Sequence, residues 1–536
     1  MRSYFSLAPS FLCNLAVSFL AMALLVGCTG EPGAGQSGVD QTGDQGKSAP
    51  AKAIPWFDGS VEEAFAAASL TGKPVFLYWG AQWCPPCHEL KATIFQRPEF
   101  IQQSTLFVPV YLDGDSDRAQ IYGERFGVMG YPTVIIFSPK GEEVTRIPGG
   151  MSIERYVGVM DLALNALRPV ADLVDTVGDG NPLADEDWKL LAYYSWGQDR
   201  GYALGEKALG DTASMLARAC PDRLNVEKSM LQMLALDAWM SDEERDAALA
   251  EEHRAALKQV LIDERLVRAN QSTLLYLSGA MLELLHDDRE SKEELYQQLQ
   301  EVMLGIISNP DTHVLTRLDA LYGWLDVNLA LLAEGETLTE TQQQWLYQQT
   351  EEARKSLTSY QQHTAINTVW QLYLDAGLEQ EARRALLTGM EVSKQPYYFM
   401  SGMGALESKA GNKEEALDWY RKAWENSSGG ATRIQWGSNY LRALVKLRPQ
   451  DGPEIQETGL TILREAAGQT GGLHHRSARG IDRMSEQLLE WGNNDSSNES
   501  RHQVLQVLKL AMQEVCSEMT ERTETCDTFL QAPQPA

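Results

Sequence analysis

The sequence predicts an α/β domain followed by a large all-α helical domain. From Trp56 onward, strand and helix signals alternate at short spacing. After about Leu167 the strand signals fade, and amphipathic helical stretches continue to the C-terminus. The chain has 536 residues, which is more than one hydrophobic core usually organises, so we expect more than one domain.

The N-terminus is typical of an exported protein. An apolar stretch at residues 11–26 is short for a transmembrane helix but suits the core of a signal peptide. It ends in Leu-Val-Gly-Cys at Cys28, which resembles the lipobox of bacterial lipoproteins. The resemblance implies that residues 1–27 are a signal peptide and that Cys28 carries a lipid anchor. The alternatives are an ordinary cleaved signal or a membrane helix. Thr29, in place of an aspartate, favours the outer over the inner membrane.

Residues 28–54 are predicted to be the lipidated N-terminus and a flexible tether. They are rich in Gly, Ser, Gln and Asp and carry almost no large apolar side chains, so they cannot bury enough surface to fold. We therefore expect the folded part to face the periplasm, close to the envelope membrane.

The charge balance argues against nucleic acid as a partner. Lys and Arg total 46 against 74 Asp and Glu, which gives a formal net charge of -28. A chain of this charge repels phosphate backbones and anionic lipid headgroups.

The α/β segment shows a regular order of elements. A capping box at Ser60 and Glu63 opens the first helix, which we expect to continue through Ala68. Apolar runs between turn signals predict the elements that follow. These are strands at 75–79, 106–111, 130–137 and 143–147, one helix ending at 126 and another over 151–167.

The motif Trp-Cys-Pro-Pro-Cys-His at residues 83–88 fits two chemistries, a c-type haem attachment site or a redox loop. A buried strand precedes it, and Gly-Tyr-Pro-Thr opens a later strand. This combination resembles the thioredoxin family over residues 55–168. The segment is most similar to the thioredoxin-like domains of bacterial envelope disulfide-interchange proteins, in which a proline, here Pro98, breaks the helix after the cysteines. A haem site would need a second axial ligand and an apolar envelope, so the redox interpretation is favoured.

The placement of the cysteines assigns their roles. Cys84 is predicted at the N-terminus of a helix, where the macrodipole favours a thiolate, and it becomes the nucleophile. Cys87 lies one helical turn further on and becomes the resolving thiol. Pro85 and Pro86 offer no backbone donor, and no histidine lies between the cysteines. A reducing or isomerising activity is therefore favoured over a strongly oxidising one.

The resemblance also implies a substrate contact and two departures. Pro132 should be cis and should present the Tyr131 backbone to an extended client peptide, with Trp83 as a further contact. Tyr78 stands where thioredoxins carry a buried aspartate, and Pro109 or a neighbour replaces the buried lysine partner.

A calcium-binding loop is the alternative for one acidic stretch. Asp113, Asp115, Asp117 and Glu124 fit positions 1, 3, 5 and 12 of the calcium-loop template, but Arg118 stands where the template needs glycine. Helix capping explains the same residues, so we expect no metal.

The helical domain, residues 169–536, carries a partial repeat. Gly377 and Gly411 open similar stretches 34 residues apart, which is the period of the tetratricopeptide repeat. We expect such repeats over about 358–466 and a concave surface that binds a protein partner. The alternative is a structural spacer.

Cysteine positions add one expectation. Cys516 and Cys526 could not form a disulfide on one continuous helix, which would separate them by about 15 Å. A turn between them would allow a structural disulfide, with Cys220 unpaired.

Together these features predict an envelope thiol-disulfide oxidoreductase. It would exchange disulfides with protein clients, use no metal or organic cofactor, and depend on a membrane electron-donor or acceptor protein. One alternative is a helical scaffold lipoprotein whose thioredoxin-like domain binds polypeptides without redox turnover. A cytochrome is the other.

Overall fold

The computed structural model describes residues 53–531, except 149–155, 157, 161, 164–167, 200, 334, 358, 495–497, 520 and 521. The predicted signal peptide 1–27, the lipidation site Cys28 and nearly all of the tether 28–54 lie outside these residues. Among the helices that are described, none has the length and apolar character needed to cross a membrane.

The N-terminal part is an α/β domain whose elements follow the predicted order. Ser60 caps the first helix, and its side chain accepts from the backbone of Glu63 at 3.0 Å. The elements are α1 (Val61–Thr71), β1 (Val75–Gly80), α2 (Pro85–Thr93), α3 (Pro98–Gln103), β2 (Val108–Asp113), α4 (Asp117–Arg125), β3 (Thr133–Phe137) and β4 (Glu143–Pro148). Strand β2 begins later than predicted because Leu106 lies in a short 3₁₀ turn and is 61% exposed. The predicted helix at 151–167 is helical at its described positions 156, 158–160, 162 and 163.

The four strands form one mixed sheet in the order β2-β1-β3-β4. Strand β1 is parallel to β2 and antiparallel to β3. Every residue of β1 and β3 is buried, because helices cover both faces of the sheet. The central strand therefore has fixed neighbours on all sides, and the loop that follows it starts from a rigid position.

The rest of the described chain is helical. The α-helices described there are α5 (Val170–Gly178), α6 (Asp185–Tyr193), α7 (Leu209–Ala219), α8 (Asn225–Ser241), α9 (Ala250–Leu261), α10 (Glu264–Ala269), α11 (Gln271–Leu284), α12 (Arg289–Ser308), α13 (Val314–Ala330), α14 (Glu340–Lys355), α15 (Ser359–Asp375), α16 (Glu379–Val392), α17 (Tyr397–Lys409), α18 (Lys413–Asn426), α19 (Gly430–Leu447), α20 (Gly452–Ala467), α21 (His475–Asn493), α22 (Glu499–Glu518) and α23 (Glu524–Thr528). We call this part the helical region.

The first helices of the helical region share a hydrophobic core with the sheet. Phe76 and Ile136 from the strands belong to the same buried cluster as Leu173 from α5 and Leu191 from α6. This core continues across the predicted domain boundary at residue 168. The shared core holds the two parts of the chain together through the hydrophobic effect, which is the dominant favourable term in folding.

The edge strand β4 is also covered by the helical region. Arg146 is fully buried, and its guanidinium pairs with Glu143 at 2.8 Å and donates to the Gln198 carbonyl at 2.7 Å. The Ser195 backbone amide donates to the Arg146 carbonyl at 3.2 Å. A polar strand edge is thereby closed to pairing with other chains.

Three helix hairpins follow one another between residues 359 and 467. In the first two, the turn contains a glycine in the left-handed region, Gly377 at φ 81° and Gly411 at φ 83°. Gly404 lies against the ring of Tyr420, where a Cβ atom would be only 2.9 Å from the ring. These glycines explain the 34-residue spacing in the sequence, while the assignment to the tetratricopeptide family stays a prediction.

A disulfide joins Cys516 to Cys526 with 5.9 Å between their Cα atoms. It is possible because α22 ends at Glu518 and α23 begins at Glu524, so the two cysteines lie on different helices. Cys220 is a buried free cysteine. Burial raises the pKa of its thiol to about 12, which makes it a poor nucleophile.

Replacement of Gly411 by alanine should destabilise the protein, because a Cβ atom is unfavourable at a left-handed position by about 1–2 kcal/mol. Gly411→Asn should cost less, since asparagine tolerates this region. Gly305 is the matched control: it lies inside α12 with open space around it, so Gly305→Ala should stabilise by about 0.5–1 kcal/mol. Denaturant unfolding measures the change in the free energy of unfolding for each variant. If Gly411→Ala and Gly305→Ala changed it equally, the left-handed conformation of Gly411 would be contradicted.

Candidate active site

The cysteine pair lies where the central strand passes into a helix. Cys84 is the N-cap of α2, and it forms a disulfide with Cys87 in which the Cα atoms are 5.3 Å apart. Pro85 and Pro86 occupy the first helical positions, where a missing amide is not costly. The amide of Cys87 is therefore the first donor of the helix, and it lies 3.2 Å from the Cys84 sulfur. This amide and the helix dipole would stabilise a thiolate on Cys84.

The loop before β3 meets the cysteine pair for a reason of strand register. Strands β1 and β3 are antiparallel, with Trp79 opposite Thr133. The residues after β1 and the residues before β3 consequently lie at the same end of the sheet. The Tyr131–Pro132 peptide bond there is cis, and both residues are buried.

The predicted substrate contacts converge around the redox loop. The rings of Trp83 and Tyr131 lie 5.6 Å apart between centroids. Tyr131, Cys84 and Cys87 belong to one buried cluster, against which Trp83 packs. Cys84 is only 2% exposed and Cys87 is fully buried, so the pair is covered in this arrangement.

Tyr78 occupies the space beside the resolving cysteine. Its side chain is fully buried, and its hydroxyl donates to the Cys87 carbonyl at 3.5 Å. Lys91, one helical turn after Cys87, stacks over the Tyr111 ring at 4.4 Å and donates to the Tyr111 hydroxyl at 3.3 Å. Burial lowers the pKa of Lys91. Sequence reasoning did not single out Lys91 or Tyr111, although Lys91 lies on the same helix face as Cys87.

The ring of His88 lies against the segment that precedes the cysteines. Its Nε2 atom lies 2.6 Å from the Gln82 carbonyl oxygen, within the segment that leads to the cysteines. The ring is half-buried.

The acidic stretch after β2 serves the protein's own hydrogen bonds. Ser116 caps α4 by accepting from the Ala119 amide at 3.2 Å, and Asp117 accepts from the Gly471 amide at 2.9 Å. Asp115 accepts from the Trp83 indole at 2.6 Å. Within the described part of the chain, no cluster of three or more His, Cys, Asp or Glu side chains is placed to hold a metal ion.

The helical region completes the surroundings of the redox loop. The Arg476 guanidinium lies 4.2 Å from the centroid of the Trp83 ring, and it pairs with Asp115 at 3.3 Å. The Tyr398 ring lies 6.2 Å from that of Trp83. Sequence reasoning missed these residues because Asp115 and Arg476 are 361 positions apart and no local pattern connects them.

His475 is a buried, neutral histidine at this contact. Burial, with the positive charges of Arg479 and Arg476, lowers its pKa from 6.5 to about 3. The neutral ring can donate from Nε2 to the Val128 carbonyl oxygen, which it contacts. Its backbone lies in the left-handed region at φ 48°. Glu124 accepts from the His475 amide at 3.3 Å and contacts the His474 ring.

Comparison with known proteins agrees with this geometry. Residues 61–164 match the family model described as a thioredoxin-like domain. The thiol:disulfide interchange protein DsbD of Ralstonia nicotianae is 33% identical over 113 residues, which are 20% of this chain and 18% of that protein. DsbD of Pseudoalteromonas atlantica is 26% identical over 99 residues, 18% of this chain and 17% of that protein. Bovine nucleoredoxin is 27% identical over 108 residues, 16% of this chain and 25% of that protein.

The predicted fold class is confirmed. Residues 61–164 form a thioredoxin-like domain, and a large helical region follows it. The similarity to the DsbD proteins is confined to this domain, and the chain spans less than a fifth of the length of the two DsbD relatives named above.

His475 should make the folded protein less stable as the pH drops below 6.5. The folded protein keeps this ring neutral down to about pH 3, whereas the unfolded chain takes up a proton near pH 6.5. The contribution of His475 to the free energy of unfolding is therefore fully present above pH 6.5. It falls by about 1.4 kcal/mol for each pH unit below that value. Asparagine tolerates the left-handed backbone, so His475→Asn should remove this slope.

Urea unfolding of both proteins at pH 7 and pH 5 measures the effect. Asp482, whose pKa burial raises to about 6, acts in the opposite direction but equally in both proteins. The difference between wild type and variant thus isolates His475. Identical pH slopes would contradict the buried, neutral assignment.

Proposed function

We propose that this chain is a thiol-disulfide oxidoreductase that exchanges disulfides with protein clients through Cys84 and Cys87. One observation carries the proposal: a cysteine pair within disulfide distance at the N-terminus of α2, in a thioredoxin-like domain. The cis Tyr131–Pro132 bond at the same end of the sheet supports it.

Each cysteine has one role in the proposed exchange. The Cys84 thiolate attacks one sulfur of a client disulfide, and a mixed disulfide forms while the other client sulfur leaves as a thiolate. The Cys87 thiolate then attacks the Cys84 sulfur, which closes the Cys84–Cys87 disulfide and releases the client with both thiols reduced. The two electrons pass from this chain to the client. Trp83, Tyr131 and Pro132 are the proposed client contacts.

A reducing or isomerising activity is the proposed direction. The loop has prolines at both central positions and no histidine there, so the Cys84 thiolate has few donors. A reducing cycle needs a dithiol electron donor, and we propose a membrane protein for this role. The proposed lipid anchor at Cys28 would hold the protein on the envelope membrane, with the folded part facing the periplasm. We propose the outer rather than the inner membrane for this anchor. The helical region, with its hairpin series, is the proposed partner-binding part.

The burial of the cysteine pair favours a second candidate. Cys84 is 2% exposed and Cys87 is fully buried, so a protein client cannot approach them in this arrangement. A helical scaffold lipoprotein, whose thioredoxin-like domain binds polypeptides without redox turnover, would need no such access. The complete cysteine pair opposes this candidate, since a binding domain needs neither thiol.

The proposed function predicts that the pair cycles reversibly and titrates nearer the thioredoxin potential, about -270 mV, than the oxidant potential, about -120 mV. Cys84→Ala should abolish exchange. Cys87→Ala should keep the attack but accumulate the mixed disulfide with a model client. Cys220→Ala is the matched control and should change neither result, because that thiol is buried away from the pair.

Equilibration against dithiothreitol measures the potential, and non-reducing gels measure the mixed disulfide. If Cys84 and Cys87 cannot be reversibly oxidised and reduced, the oxidoreductase proposal is contradicted and the scaffold candidate is favoured. A potential near the oxidant value would reverse the proposed direction.

A further inference from the structure

The helical region covers the face of the thioredoxin-like domain that carries the redox loop. Most of its polar contacts come from α19, α21 and the turns before them, which follow the domain by hundreds of positions in the sequence. We call its central set of polar residues the latch: Asp115, Thr432, His475, Arg476 and Arg479.

Asp115 is the centre of the latch. One carboxylate oxygen accepts from the Trp83 indole at 2.6 Å. The other accepts from the Thr432 amide at 3.0 Å, from the Thr432 hydroxyl at 2.8 Å and from Arg476 at 3.3 Å. The residue beside the attacking cysteine is thus connected through one carboxylate to two helices of the helical region.

The latch also forms hydrogen bonds with the backbone carbonyls that precede the cis bond. Arg479 donates to the Val128 carbonyl at 3.2 Å and to the Met129 carbonyl at 3.4 Å. The His475 ring contacts the Val128 carbonyl as well, and it lies 6.2 Å from the Tyr131 ring. These carbonyls border the segment that, in the proposed function, pairs with a client peptide.

Glycines on both sides make the contact close. A Cβ atom at Gly123 would lie 2.9 Å from the His475 ring, and one at Gly471 would lie 2.9 Å from the backbone of Asp117. A Cβ atom at Gly429, where φ is 94°, would lie 2.6 Å from the Asp115 carboxylate. Side chains at these three positions would force the two surfaces apart, so the sequence is adapted to this contact.

The latch is polar, in contrast to the core that α5 and α6 share with the sheet. Helices α5 and α6 share an apolar core with the sheet, and water cannot replace the apolar contacts in that core. Water can replace the partners of the latch, because its residues are charged or hydrogen-bonding groups that solvate well. Separation at the latch therefore costs less than separation at the shared core.

We propose that the helical region gates the redox loop, so that small thiols reach the Cys84–Cys87 disulfide while a protein thiol reacts only after the latch opens. This rests on the proposed function. In the gated step, an incoming thiolate attacks the Cys84 sulfur and forms a mixed disulfide with it, while the Cys84–Cys87 bond breaks and Cys87 leaves as a thiolate that takes up a proton. The second thiol of the reductant then attacks its own sulfur in the mixed disulfide, which releases Cys84 reduced and leaves the reductant as a disulfide. The incoming reductant supplies the electrons.

The test compares two reductants of different size on the oxidised full chain. The rate of reduction is measured with dithiothreitol and with reduced thioredoxin, for wild type and for Arg476→Met, which keeps the length of the side chain but loses its charge. Arg433→Met is the matched control, because Arg433 lies next to Thr432 on α19 but pairs with Glu465 inside the helical region. Thr432→Val, which removes one hydroxyl donor to Asp115, is a milder second variant.

Arg476→Met should raise the rate with thioredoxin about tenfold, the effect of one lost charge-assisted hydrogen bond, and change the rate with dithiothreitol less than about twofold. Thr432→Val should act in the same direction by a smaller factor, and Arg433→Met should change neither rate. Loss of a positive charge near the cysteines would by itself slow both reactions, since it makes Cys87 and Cys84 poorer thiolates. A selective gain therefore reports access.

Unchanged thioredoxin rates in folded Arg476→Met and Thr432→Val would overturn the gate, and so would an equal rise with both reductants. In either case the dithiothreitol reaction would still support the proposed function. If the pair fails to react with dithiothreitol in every protein, the proposed function fails, and the gate fails with it.

Discussion

The burial of strand β1 between β2 and β3 is the constraint on which the redox loop depends. Every residue of β1 is buried, and pairing on both sides fixes where the strand ends. The register of Trp79 with Thr133 then brings the cis peptide to the end of the sheet where α2 begins. The geometry of Cys84, Cys87 and Pro132 follows from the sheet. The helical region adds the surroundings of the loop through Arg476 and Tyr398.

The two attachments of the helical region differ in physical character. The first is an apolar core that continues from the sheet into α5 and α6, supported by the buried Arg146 ion pair at the sheet edge. The second is the polar latch on the redox loop. Apolar burial is lost in full when two surfaces separate, whereas charged groups recover most of their hydrogen bonds from water. Any large movement of the helical region is therefore expected at the latch, with the apolar core as the fixed end.

Local signals explain what could be predicted from the sequence. The capping box at Ser60, the apolar run of β1 and the Cys-Pro-Pro-Cys motif each act within a few residues, so the thioredoxin-like domain could be predicted from them. The latch had no such signal, because its partners are polar side chains that lie far apart in the chain. Asp115 illustrates the difference: its spacing from other acids fits a calcium loop, yet its oxygens bind Trp83, Thr432 and Arg476.

Burial of the cysteine pair affects its oxidised and reduced states differently. A disulfide carries no charge, so burial of Cys84 and Cys87 costs it little. A reduced pair must ionise to react, and a buried thiolate is unfavourable. Next to Cys87 lies the Tyr78 hydroxyl, which is a weak proton acceptor. In the proposed gate, opening of the latch would admit water, which we expect to accept the proton that the reduced pair releases. The movement that would admit a client would therefore also favour the thiolate that attacks it, which couples access to reactivity in a single step.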